Sequence, residues 1–442
     1  MRSLLFAFVG TLGFVSGVSA EVTFDDVAPL LQRHSRNAIA PGRSLRCRFS
    51  PTGDASLGGI DQGERASRTM PPWHAESHNG EFKNDRSLSS EEIETFIAWV
   101  DSGAVRGTKS ETPAPAEPAG WAIGEPDVVL TMQEEYEVAA DGIDEYIYFA
   151  IPTNLTEDRY VKAVEVRPGN RSVVHHVLAY VQPGGTGVVS RSDEAANEDL
   201  GFPLFFNEGE AIRVLPEAPV HDDGCTLPDG GSATPMDMTA GPVKLLSTFA
   251  PGSRGDVYPE GLGKLVPEGS EILFQVHYNK TGKVERDRTS IALVFTDEPP
   301  PKIVEAYGVS NYYFRIPPGT AAHEVKGCYA FDKDVEILSY FPHMHVRGKD
   351  MKIEAIYPGG ETEVLLNVPR WDFNWQTTYW LEAPKRVPAG TRILVTAHYD
   401  NSKRNPFNPD PTARVRWGDP TSDEMMIGGL DFVAAPGGAT ND

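Results

Sequence analysis

Residues 172–181 read Ser-Val-Val-His-His-Val-Leu-Ala-Tyr-Val. The run is short, rich in β-branched and aromatic residues, and bounded by Gly/Pro turns, which makes it a strand. Similar runs recur at Tyr146–Ile151, Glu271–Tyr278, Val335–Phe341 and Arg392–Tyr399. Short strands at this spacing predict β-sandwiches, and the roughly 320 residues after Trp121 fit two better than one. The expected fold class is therefore mainly β: two consecutive antiparallel, jelly-roll-like sandwiches over 121–298 and 299–442. The junction is placed near Glu298-Pro299-Pro300-Pro301, and no clear repeat relates the halves.

Composition agrees. The chain has 442 residues, 40% hydrophobic and 23% charged, enough for several cores. Its 42 glycines and 36 prolines suit turn-rich β structure. The net charge of −23 argues against nucleic acid or anionic membranes as partners. Three cysteines, Cys47, Cys225 and Cys328, allow at most one intrachain bridge.

The N-terminal part reads differently. Residues 1–20 have the form of a secretory signal: Arg2, the apolar run Leu4 to Val18, and the small-residue site Val18-Ser19-Ala20. No other stretch has the length of a membrane span. An exported protein, periplasmic or secreted, is expected. Phe24, Val27, Leu30 and Leu31 have helical spacing, and Ser89-x-x-Glu92 predicts a capping box. Ile93, Phe96, Ile97 and Val100 follow at helical spacing, with Gly103 as the stop. A small helical domain over 21–108 results, joined by a Pro/Ala-rich linker over 109–120.

Eleven histidines are present, and five lie in three compact motifs. These are Val173-Val174-His175-His176-Val177, Phe274-Gln275-Val276-His277-Tyr278 and Phe341-Pro342-His343-Met344-His345. On a strand, His343 and His345 point from one face and can chelate one ion. His175 and His176 face opposite ways on a regular strand, so both reach one metal only through a twist or bulge. A lone buried histidine is more often a satisfied core residue; two unneeded imidazoles on one buried face cost solvation. His34, His74, His78, His221 and His323 are read as outside these motifs, and His398 stays open. No His-Glu-x-x-His zinc-peptidase helix occurs. Imidazole suits copper, zinc, iron or nickel, and a thioether added to two imidazoles selects copper. Met425, in Ser422-Asp423-Glu424-Met425-Met426, is a candidate thioether; a core gap-filler is its other reading.

The order His-His, His-Tyr, His-x-His and Asp-Glu-Met resembles the copper type II, ascorbate-dependent monooxygenases, over about residues 121–442. The resemblance implies two coppers per chain. His175, His176 and His277 would hold an electron-transfer copper; His343, His345 and Met425 would hold the catalytic copper where dioxygen reacts. Gln275 also matches a family position. The peptide-amidating members carry an Arg and a Tyr for a substrate carboxylate where this chain has Phe341 and Gly429, so a peptide carboxylate is not expected. Their Cys after the Met ligand is Met426 here.

Residues 21–108 resemble the small cytochrome c-like domain that precedes bacterial members. Met70-Pro71-Pro72-Trp73 matches its axial-methionine segment, and the helix ending Trp99-Val100-Asp101-Ser102-Gly103 its last helix. The haem c attachment motif Cys-x-x-Cys-His is absent; the chain reads His34-Ser35-Arg36-Asn37-Ala38-Ile39-Ala40-Pro41-Gly42 there. Either haem has been lost, or a local frameshift hides it. One permitted coding of Asn37–Gly42, read from the third base of the Asn codon, gives Cys-His-Arg-Pro-Gly, and on that reading Cys47 is an artefact.

The expected function is hydroxylation of a substrate C–H bond with dioxygen and a one-electron reductant. Ascorbate, or electrons through haem, would supply the reductant; the substrate, a small molecule or peptide-like, is not specified by the sequence. A periplasmic copper-binding or electron-relay protein would use the same ligands. A zinc hydrolase is disfavoured because no general-base carboxylate accompanies His343 and His345.

Overall fold

The computed structural model describes residues 22–35, 73–76, 79–103, 105–107, 120–142, 144–185, 189–191, 243–251, 253–418 and 420–436. The expected signal 1–20, residues 36–72 with Cys47 and Met70, the linker Glu111–Pro118, Cys225, His78, His221 and the side chain of His34 lie outside these. Among the described residues the chain is mainly β, with two helices, Phe24–Ser35 and Ser90–Asp101. No described helix is long and apolar enough to cross a membrane.

The capping box forms as the sequence expects. Glu92 N–H donates to Ser89 Oγ and Ser89 N–H to the Glu92 carboxylate. Its packing differs from the expected stripe. Trp99 is the buried residue of this helix, whereas Ile97 is exposed. The Trp99 indole meets Phe24 at 5.9 Å and donates to Val105 O at 3.0 Å. Ile93, Phe96 and Val100 are half-buried, and the Phe96 ring meets Trp99 at 6.2 Å.

Within the span 21–108, residues 73–76 and 79–85 belong to other surroundings. Trp73 and Phe82 enter a β core, edge-on to Tyr379 at 5.0 and 5.5 Å. Phe82 bridges Leu381, and Asn84 donates to Thr378 O at 2.7 Å. This segment pairs with the edge of strand Tyr379–Val387, so its aromatic residues find a wall that two short helices do not offer.

The strands fall into two groups. In the first, one sheet runs Val128–Thr131, Ser290–Phe295, Arg159–Arg167, Leu262–Val266, Lys302–Ile303, with Asp256–Val257 also paired to Arg159–Arg167. The other runs Val189–Arg191, Glu145–Pro152, Glu271–Tyr278, Val174–Gln182, Lys244–Phe249. Ile272, Phe274 and Val276 join Val164 and Leu293 in a core shared by both sheets. Every residue of Glu271–Tyr278 is buried. By strand alternation, Leu273, Gln275 and His277 occupy the other face.

In the second group, one sheet runs Glu305–Ser310, Ile427–Ala434, Val335–His343, Tyr379–Val387. The other runs His323–Ala330, Arg392–Tyr399, Gly348–Ile356, Thr362–Val368. Val309, Ile337 and Phe432 pack with Val395 and Ile353 between them. Cys328, buried on strand His323–Ala330, is disulfide-bonded. The groups touch along a seam: Tyr146 hydrogen-bonds Thr421 at 2.9 Å, and Lys264 pairs with Asp431 at 3.0 Å.

Gly428 is a tight point in the second core. A Cβ there would run into the Val395 side chain, which is fully buried. Gly428→Ala should therefore destabilise the protein by about 1–3 kcal/mol through overpacking. Urea unfolding checks this: a lower midpoint with an unchanged slope is expected, and an unchanged midpoint would show that the sheets yield there.

Candidate metal centre

Three histidines of the first group converge. One ring nitrogen from each of His175, His176 and His277 lies within 4.8 Å of the others, and all three residues are buried. The bulge that the sequence required is present. His277 pairs with His176, but Tyr278 pairs with Val174, so His175 is the extra residue. A bulge re-aims side chains locally. The Nδ1 atoms of His175 and His176 lie 3.1 Å apart. Two nitrogens bound tetrahedrally to one ion at ~2.0–2.1 Å stand roughly 3.3 Å apart, so the spacing suits a shared metal.

Asp144 fixes the third ring. Its carboxylate lies 3.1 Å from His277 Nε2 and can only accept, so Nε2 carries the proton and Nδ1 keeps its lone pair. Tyr146 stacks on the same ring, 4.3 Å away at 10°.

His343 and His345 of the second group are also buried, their rings 5.3 Å apart. They do not occupy two strand positions as expected. The strand ends at His343, and His345 lies just beyond, entering a turn. Glu424 holds that turn, accepting from His345 N–H at 2.8 Å and Arg347 N–H at 2.6 Å. Burial pushes the Glu424 carboxyl up to about 8, against those hydrogen bonds. Buried Arg347 donates to Asn401 Oδ1 at 3.0 Å and Ser422 O at 2.8 Å. The acidic pair before Met425 is thus part of the scaffold under His345.

Both tautomers of this pair follow from their partners. Gln376 Nε2 donates to Phe373 O at 3.2 Å, which turns its Oε1 to His343 Nδ1 at 2.6 Å. His345 Nδ1 lies 3.2 Å from Asp423 O, an acceptor. Each Nδ1 is therefore the donor, and each Nε2 keeps a lone pair. Burial lowers the His343 imidazole to about 4 and those of His176 and His345 well below the usual range. Neutral rings with fixed lone pairs are the form that binds metal.

Met425 is buried and lines a cleft with His343 and Gln275. Tyr399 anchors its backbone by donating to Met425 O at 2.8 Å. Met426 sits in the second core instead.

The two histidine sets meet at the seam. The His176 and His343 rings are 5.8 Å apart. Phe373, from the second group, stacks on His175 at 4.3 Å and lies 6.1 Å from His345. Asp144, Phe373, Gln376 and Glu424 went unnoticed as partners in the sequence. Three stand singly in loops with no motif; Glu424 had a signal only in its nearness to Met425. His398 lies elsewhere, paired with Asp350 at 2.6 Å, and His323 is on the adjacent strand. His74 sits by Asp372 and Arg370.

The donor set is all imidazole with one thioether beside it. This fits copper among the imidazole-binding metals, the thioether favouring its reduced form.

No protein-family model matches the chain. It is 21% identical over 203 residues to DBH-like monooxygenase protein 1 of Gallus gallus, covering 41% of this chain and 32% of that protein. The match thus spans about a third of that relative's length. Among solved structures, PNGF-II aligns at a TM-score of 0.30 with 10% identity, covering 70% of this chain and 65% of that one. The major capsid protein P2 of bacteriophage PM2 aligns at 0.26 with 9% identity, covering 71% and 99%. Neither likeness is close enough to bear on fold or function.

The tautomer-setting partners generate a prediction. Gln376→Leu and Asp144→Ala should each weaken copper affinity by about 10–100-fold, because each frees one of the buried imidazoles to turn. His398→Ala, away from the seam, should not. Competition titration with a copper chelator checks this; equal affinities in all four proteins would refute the assignment of these partners.

Proposed function

We propose that the protein is a copper-dependent monooxygenase of two consecutive β-sandwiches, exported from the cell, that hydroxylates a substrate C–H bond. The observation that carries this is the meeting of two buried imidazole sets, one of them beside a cleft-lining thioether. The balanced reaction is R–H + O2 + 2 e⁻ + 2 H⁺ → R–OH + H2O. Ascorbate or another one-electron donor supplies the electrons singly. Copper, when bound, supplies the one-electron redox steps.

The residues divide that task. His175, His176 and His277 would hold the copper that takes up electrons. His343, His345 and Met425 would hold the copper at the cleft, where dioxygen and substrate meet. The thioether is a poor ligand for oxidised copper and a good one for reduced copper, so Met425 favours the state that reacts with dioxygen. Phe373 and Tyr146 exclude water around the rings. Asp144 and Gln376 hold the protons on the nitrogens facing away from the metal.

Two coppers per chain are expected, and His175→Ala should lower the content by about one. Met425→His should keep copper while suppressing oxygen consumption coupled to product. Met426→Leu, a near volume-conserving change in the core, should alter little. X-ray absorption of the reduced protein should show a copper–sulfur contact in the parent and Met426→Leu but not in Met425→His. Copper binding without reductant-driven oxygen uptake, across a range of hydrocarbon-bearing substrates, would favour the electron-relay reading instead.

A further inference from the structure

The loop between strands Thr362–Val368 and Tyr379–Val387 reaches His175, His277, His343 and His345. Trp371 Nε1–H donates to His345 O at 3.1 Å. Phe373 stacks on His175 at 4.3 Å and lies 6.2 Å from His277. Gln376 Oε1 takes the His343 Nδ1 proton at 2.6 Å. The loop crosses from one sheet of the second group to the other and has no strand or helix of its own. Its internal bonds gather at Asp372, whose carboxylate accepts from Asn374 N–H at 2.9 Å and whose carbonyl accepts from Trp375 N–H at 3.0 Å. Such local bonds shape a loop without fixing where it sits, and a surface loop moves more readily than the strands it joins.

Both feet of this loop are fastened by one stretch nearly three hundred residues earlier in the chain. At the first foot, Glu76 N–H donates to Asn367 O at 3.0 Å, and the Asn367 amide donates to the Glu76 carboxylate at 2.8 Å. At the second, Asn84 uses both ends of its amide: Nδ2 donates to Thr378 O at 2.7 Å, and Oδ1 accepts from Trp380 N–H at 3.1 Å. Lys83 N–H donates to Trp380 O and Glu382 N–H to Glu81 O, both at 2.8 Å, which makes a short antiparallel ladder on the sheet edge. Trp73 and Phe82 close on Tyr379 from the same stretch, and all three rings are buried.

We propose that Glu76 and Asn84 are positioning residues for the metal centre. By fastening the two feet of the loop, they set Gln376 against His343 and Phe373 against His175, and so hold those rings ready for copper. This rests on reading the buried imidazoles as copper ligands. Both residues act through the loop, so losing either loosens the centre less than losing Gln376 itself.

The test begins with the metal-free, full-length protein carrying isotope-labelled histidine. Nitrogen NMR at neutral pH reads which ring nitrogen of His343 holds the proton. The parent should show a single tautomer, protonated at Nδ1. Glu76→Ala and Asn84→Ala should each give a mixture there. Each should also weaken copper binding about three- to tenfold in chelator competition, less than the loss of a direct partner of the ring. Glu76→Gln keeps an acceptor for the Asn367 amide and should restore the parent's tautomer and affinity. Thr391→Val is the control for lost stability alone. It removes a buried hydrogen bond to Pro388 O at 2.7 Å, at the opposite end of strand Arg392–Tyr399 from Tyr399, and should change neither readout. Either alanine variant carries the test if the other does not fold. The parent's tautomer and affinity in the alanine variants, equal losses in Thr391→Val, or no rescue by Glu76→Gln would overturn the proposal. A parent that binds no copper, with the tautomer pattern intact, would instead count against the monooxygenase reading.

Discussion

Five imidazoles are buried along one seam, and low-dielectric surroundings there penalise a charged ring. Much of the local structure answers to that constraint. Asp144 takes the proton-bearing side of His277, Gln376 that of His343, and Asp423 O that of His345. Each partner leaves the opposite nitrogen's lone pair facing inward. The bulge at His175 supplies what a regular strand cannot, two adjacent residues aimed at one point.

The seam is held by contacts of different kinds at its two ends. Near the histidines they are aromatic and local: Phe373 on His175, and Tyr146 on His277 with its hydroxyl on Thr421. Along the cleft, Lys264 of the first group reaches Asp431 of the second. Both groups of sheets therefore contribute to each end, and neither histidine set is surrounded by its own group alone. Trp73 and Phe82 brace Tyr379, close in sequence to the loop that carries Phe373 and Gln376. The segment before the β region thereby contributes to the support of the seam.

Much of this was legible in the sequence, and the reasons differ by element. Glu271–Tyr278 and Arg392–Tyr399 were read with their observed limits because apolar strands bounded by turns carry their own signal. The i, i+2 spacing of His343 and His345 was read as two strand positions, but the strand stops at His343, since the backbone beyond is captured by Glu424. That capture depends on a residue nearly eighty positions away, which periodicity does not encode. The spacing of His175 and His176 makes the bulge only a condition for sharing one metal, because a bulge is a property of pairing with His277 and Tyr278. Gly429 stands where the peptide-amidating proteins carry a tyrosine, and the Phe341 carbonyl crowds any side chain there. Phe373 and Gln376 sit in a loop whose composition gives no hint of its neighbours.

Electron paramagnetic resonance of the oxidised, fully copper-loaded protein reads the contiguity of the two histidine sets. With His176 and His343 rings 5.8 Å apart, the two metals should interact magnetically, giving a broadened or diminished spectrum that sharpens when His175→Ala leaves one copper. Two undiminished, independent signals in the parent, unchanged in line shape in the variant, would contradict the account and place the two coppers farther apart than the adjoining rings.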